Sequence, residues 1–156
     1  MYWHYLLLKT LHVIGGAVLL GTGIGIAFFM VLAHRTRNPL IVAHTVGVVV
    51  IADALFVATT LLWQPITGAL MAVAYLYDWY APWLAISLIL YVVAGAFWLP
   101  ILWLDWRIRN LAREAVAAHA LLPPLYHRLY AIRFAIGIPA FSAVIAIFWL
   151  MIAQPA

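Results

Sequence analysis

Five side chains able to do chemistry lie in stretches that are otherwise apolar: His12, Asp53, Ser87, Tyr91 and Arg133. A polar group held in hydrocarbon is costly when charged and also when merely unpaired, so each needs a partner, a proton, a wet cavity or a cofactor. A neutral imidazole at that depth suits a metal ligand or a proton partner, which makes His12 the metal-ligating candidate. The bland alternative is a histidine hydrogen-bonded to Asp53 or Tyr91. Asp53, near the midplane, must be protonated, paired or on a functional path. Tyr91 and Ser87 offer hydroxyls for a polar wall, although a helical serine also has its own helix's carbonyl in reach. Arg133 stays charged, so it must snorkel, pair with Asp105, or meet an anionic cofactor group or phospholipid. On a helix, Gly16 follows His12 at i+4 and Gly23 lies seven further on, a stripe that admits a neighbouring helix or a flat macrocycle.

The elements that must position these groups are membrane helices. The 156 residues are 69% hydrophobic and 8% charged, with a mean hydropathy of +1.13, which is not a soluble composition. A hydrocarbon core of about 30 Å takes roughly 20 apolar residues per helix, so the chain has room for four spans. The pattern predicts an all-α, four-transmembrane-helix bundle in a single domain, 1–156. Spans fall at about 5–33, 41–63, 83–106 and 129–152. Gln64-Pro65 is read as stopping or kinking the second span, which makes 64–82 an outer interfacial segment that includes the aromatic cluster Tyr77 to Trp83. Residues 107–128 form the cytoplasmic connection, the first part a helical continuation of span three. The first apolar run is too long for a cleavable signal. Without cysteine, this chain supplies no disulfide, thiolate ligand or iron–sulfur cluster.

Of the eight Lys and Arg residues, seven lie on the side of the 1–2 and 3–4 connections, against Lys9 at the other face. The bias predicts both termini outside, and it bears on topology rather than on a nucleic-acid partner. At ~1.5 Å per residue, His12 lies about 10 Å below the outer boundary and Asp53 roughly 15 Å down. Tyr91 lies at a depth close to that of His12, so the three could meet. Asp53, Thr60 and Gln64 share one helix face; Ser87, Tyr91, Ala94, Trp98 and Asp105 share another. Trp98 and the glycine stripe read as packing. His34, His119 and His127 read as solvated or lipid-facing, His4 as an exposed terminal residue, and His44 as too far in depth from His12 to share its metal though able to serve a second site. No zinc-protease helix, phosphate-binding glycine loop or nucleophile elbow is present. Bundles of this kind hold metals and haem on side chains of facing helices.

Four stretches carry a resemblance: Leu8-Lys9-Thr10-Leu11-His12-Val13-Ile14-Gly15-Gly16; Ala52-Asp53 with Gln64-Pro65-Ile66-Thr67-Gly68; Trp98-Leu99-Pro100; and Gly137-Ile138-Pro139-Ala140-Phe141 with Phe148-Trp149-Leu150-Met151. Over nearly its whole length the chain resembles a family of bacterial four-helix integral membrane proteins of unknown function, which implies the bacterial inner (plasma) membrane. More remotely, Leu8 to His12 and Tyr126-His127-Arg128-Leu129-Tyr130 through Pro139 resemble the haem-dependent membrane protoporphyrinogen oxidases and the membrane domain of D-type copper-resistance proteins. In those oxidases a first-helix histidine and a third-helix lysine are implicated in haem binding. His12 matches the first; the third helix has no lysine, and the matching place is about Ser87.

The expectation is a redox-type membrane protein binding b-type haem or a quinone in the outer half of the bundle. His12 would be ligand or proton partner, Asp53 a proton relay, Tyr91 part of the polar wall, with Ser87 and Arg133 also lining the site. The lipid bilayer is the predicted partner, with a homo-oligomer or a membrane redox partner beyond it. The alternative is a non-enzymatic protein: a proton or small-solute pathway using Asp53, or a structural subunit of a membrane complex.

Overall fold

A two-residue break at Arg37-Asn38 begins the hairpin of the first two spans. The computed structural model, which describes residues 2–74, 76 and 78–155, ends helix α1 (Tyr2–Thr36) there. Thr36 Oγ1 donates to the Ala33 carbonyl at 2.7 Å and accepts from the Asn38 amide at 3.1 Å, while Arg37 takes a left-handed φ of 53°. Asn38 then caps α2 (Pro39–Ala52), its side chain accepting from the Leu40 amide at 2.9 Å, and Pro39 fills a first-turn position that needs no donor.

The second span does not stop at Gln64-Pro65. α2 passes through one π turn, Asp53–Val57, into α3 (Ala58–Ala74), with Pro65 inside the helix. Residues 64–74, expected in an interfacial segment, are the upper turns of a membrane-length helix, Pro39–Ala74. Neighbouring groups can take over the backbone partners that a proline frees in hydrocarbon, and Tyr91 does so here, as described below. The π turn also has its compensation: Thr59 Oγ1 donates back to the carbonyls of Leu55 and Phe56. Helix α4 (Pro82–Ala117) carries span three and its continuation as one rod, and α5 (Pro124–Ala153) is span four. Of the expected aromatic cluster, Tyr77 lies outside the described residues, while Trp79 and Tyr80 are exposed in the turn before α4.

Among the described residues there is no strand, and four helices are long and apolar enough to cross a membrane. Large apolar side chains such as Phe28, Phe29, Leu62 and Trp149 are exposed around the bundle, the surface of a protein whose solvent is lipid.

Packing is uneven along the bundle. The buried core joins Ile26, Met30 and Ala33 to Val42, Val46, Val49 and Val57, to Leu104, Ile108 and Ala112, and to Tyr126 and Leu129. Apart from Val57, near the middle of its span, these lie in the half that carries the helix connections rich in arginine, here called the arginine end. The other half, the terminal end, is hollow.

Candidate functional site

The hollow is a cavity of about 1220 Å³, reaching from Tyr5 and Gln154 at the terminal end down to Asp53 and Arg133. Small-molecule and cofactor sites are typically roughly 300–1,000 Å³. All five sequence-predicted site residues line it, but at different depths.

His12 lies highest. Its Nδ1 is 2.8 Å from Thr67 Oγ1, which is also 3.0 Å from the Trp63 carbonyl and 3.2 Å from the Gln64 carbonyl. The carbonyls can only accept. The assignment that satisfies most acceptors gives the Thr67 proton to its own helix and makes Nδ1–H the donor to Thr67. Nε2 then keeps its lone pair. This is the hydrogen-bonded histidine that membrane depth demands, but its partner is Thr67, not Asp53 or Tyr91. Reading Pro65 as a helix end hides Thr67, which continues the inward face one turn past Gln64.

The glycines bring α1 and α3 together here. A Cβ on Gly68 would stand 3.3 Å from His12 Cε1, and one on Gly16 would stand 2.9 Å from Phe148 Cζ and 3.1 Å from Gln64 Nε2. The groove at Gly16 is therefore filled by Phe148 and Gln64 rather than left open for a macrocycle. Gln64 Oε1 is buried beside it without a hydrogen-bond partner.

Tyr91 comes next. Its hydroxyl donates to the Leu61 carbonyl, the group that an amide at position 65 would serve if that residue were not proline. Tyr91 is the repair that lets α3 continue. Ser87 is buried and donates to the carbonyl of Trp83 at 2.7 Å, within its own helix.

Asp53 lies near the floor, only 3% exposed, at the start of the π turn. Thr67 is fourteen residues away along the same span, roughly 20 Å at helical rise, so Asp53 does not share the depth of His12 and the expected meeting of His12, Asp53 and Tyr91 does not occur. The continuous helix accounts for the offset. The expected inward orientation of Asp53 holds. Its Oδ2 and the Nε1 of Trp98 are buried near each other without a hydrogen bond of good geometry, and Trp98 packs against the core as expected.

Arg133 and Asp105 close the floor. Arg133 Nε donates to Asp105 Oδ1 at 2.7 Å and Nη2 to Oδ2 at 3.3 Å, a two-point contact with both side chains almost fully buried. The expected bridge between the third and fourth spans is present. Arg133 also stands 5.7 Å from the Phe134 ring centroid, at the end of an aromatic row running through Tyr130 and Tyr126. His34, still partly exposed, also belongs to that row: it stacks on Tyr130 at 3.8 Å and 6°, and its Nδ1 is 3.0 Å from the Tyr126 hydroxyl. Tyr126, Tyr130 and Phe134 recur every four residues on α5, and that spacing is the signal that could have placed His34.

Residues 6–155 match the family described as predicted integral membrane protein (DUF2269), so the match takes in the cavity from Lys9 to Gln154. The chain belongs to that family. No curated protein and no solved structure matches it. Membership in DUF2269 fixes the membrane class and assigns no chemistry to the cavity. Among the described residues, no three His, Asp or Glu side chains gather as a metal-binding group. A lone imidazole such as His12 is a complete protein contribution only for a metal that brings its other ligands with it, as haem iron does.

Proposed function

We propose that the protein is a redox-type membrane protein that binds haem b in the upper part of the cavity, with His12 as its axial ligand. The observation that supports this is the His12–Thr67 hydrogen bond, because a partner on Nδ1 fixes the tautomer and leaves Nε2 as the donor atom, the arrangement common to ligating histidines. His12 would hold the group through Nε2, and the macrocycle would lie in the cavity that His12 lines, not in the groove at Gly16 that Phe148 and Gln64 fill. Bound haem would supply one-electron chemistry. The chain's own part is to orient the imidazole through Thr67, to exclude water with apolar walls, and to hold a proton at Asp53 at the deep end.

Purified protein should show a Soret band that is absent in His12→Ala. In Thr67→Val the loss of the ring's partner should weaken haem affinity about tenfold. A folded, colourless wild type, or a His12→Ala variant with the band intact, would overturn the assignment.

A second reading, quinone binding, is favoured by the deep end. There the Trp98 N–H and Asp53 Oδ2, buried near each other but not in hydrogen-bond geometry, could serve a carbonyl or hydroxyl oxygen. Solvent extraction of the purified protein for bound quinone separates the two. Protein that is folded, colourless and quinone-free would point to a proton or solute pathway through Asp53, or to a structural subunit.

The proposed setting is the bacterial plasma membrane with both termini outside. Arg133 is committed to Asp105, so six arginines remain at the connections, against Lys9, and the bias still favours this orientation. A periplasm-only reporter active at Asn110 and silent at Ala156 would contradict it.

A further inference from the structure

At the arginine end, the first turns of α2 and the last turns of α4 border a second, open pocket of about 370 Å³. Leu40, Ala43 and His44 form one wall, and Arg113, Val116 and Ala117 the other. Four of these six are apolar. Arg113 and His44 are both exposed, and neither takes part in an ion pair or hydrogen bond among the described residues. Glu114 follows Arg113 in sequence but is not part of the pocket.

The level of the pocket matters as much as its lining. The lipid-facing surface of α2 begins beside it, at Leu40 and Ile41, which are 63% and 42% exposed. A pocket at the start of that apolar surface sits where hydrocarbon gives way to headgroups. Its arginine and its apolar wall therefore meet at the height of the phospholipid phosphate.

We propose that this pocket binds the headgroup of one anionic phospholipid. The phosphate sits on Arg113 and His44, and the glycerol and upper acyl chain lie along Leu40, Ala43, Val116 and Ala117. A guanidinium can hold two phosphate oxygens at once, which suits Arg113 to the phosphate rather than to a diffuse counterion. Arg35, Arg37, Arg107 and Arg109, at the same end, favour a lipid of net negative charge over a zwitterionic one. A free phosphate would leave the apolar wall uncovered. The site is separate from the large cavity and does not depend on what that cavity holds.

Native mass spectrometry of the detergent-purified full chain, titrated with phosphatidylglycerol or with phosphatidylcholine, tests the proposal. One phosphatidylglycerol should be retained under activation that strips phosphatidylcholine. Its affinity should fall about tenfold in Arg113→Gln, the loss of one charge-assisted contact, and also fall in His44→Ala. Arg128→Gln, which removes an exposed arginine outside the pocket, should bind like wild type, and inorganic phosphate should not displace the lipid. Equal retention in Arg113→Gln, equal retention of phosphatidylcholine, or displacement by inorganic phosphate would each overturn the proposal.

Discussion

Asp105→Asn is expected to destabilise the protein by about 3–5 kcal/mol, the largest single-residue effect foreseen, because it strands a buried guanidinium. The Arg133–Asp105 contact is bidentate and nearly free of solvent. Each charge was desolvated on burial, and only the other offsets that cost. Arg133→Gln should cost a similar amount for the mirror-image reason. The double variant Asp105→Asn/Arg133→Gln removes both charges and should lose far less than the sum, with a coupling of at least about 2 kcal/mol. Thermal unfolding in one detergent, read for the wild type, both single variants and the double, gives that coupling directly. Additive losses would mean that the two residues are stabilised independently and that the bridge contributes nothing.

Tyr91→Phe is expected to cost about 1–3 kcal/mol, although it deletes only one oxygen, because the Leu61 carbonyl would be left in hydrocarbon without a donor. That carbonyl depends on Tyr91 because Pro65 has no amide to offer. Pro65→Ala restores an amide one turn above Leu61. In that background, Tyr91→Phe should cost only a few tenths of a kcal/mol, since the helix then satisfies its own acceptor. An unchanged penalty in the Pro65→Ala background would show that the tyrosine hydroxyl matters for some other reason. The same measurement separates a repair role for Tyr91 from a binding role, because a purely ligand-facing hydroxyl would not respond to Pro65.

The features that were legible in the sequence are those written in hydrophobic runs and simple spacing. Apolar length is enough for four helices, and the bridge of Arg133 to Asp105 follows from an arginine one turn inside a span with a carboxylate near the same boundary. The inward faces of Ser87, Tyr91, Ala94, Trp98 and Asp105 follow from helical periodicity, and burial in α4 agrees for Ser87, Ala94 and Asp105. What escaped depends on backbone events that leave no local mark. Pro65 looks like a stop because the hydroxyl that rescues its helix comes from Tyr91, twenty-six positions later in another span. With the helix ended there, Thr67 has no place on the inward face, and His12 is left without its actual partner. The π turn at Asp53 is equally silent, as nothing in Asp53-Ala54-Leu55-Phe56-Val57 distinguishes it from ordinary helix. Trp98 reads as packing and does pack against the core; periodicity alone does not show that its nitrogen lies near Asp53.

The π turn has a genetic consequence. A π turn amounts to one residue more than an α-helix of the same height would use. Deleting a single residue such as Ala54 would let the span relax to regular helix, whereas the same deletion inside α4 would have no surplus to absorb it. A one-residue deletion in regular helix turns everything beyond it by about 100°. In α4 that rotation would carry the inward groups on one side of the deletion off the shared face. In the second span the π turn is where the surplus residue is housed, so its loss leaves Val49 below and Thr67 and Gly68 above on their present faces. A frame-preserving codon loss is therefore tolerated within Asp53–Val57 and disruptive in the uninterrupted helix of α4.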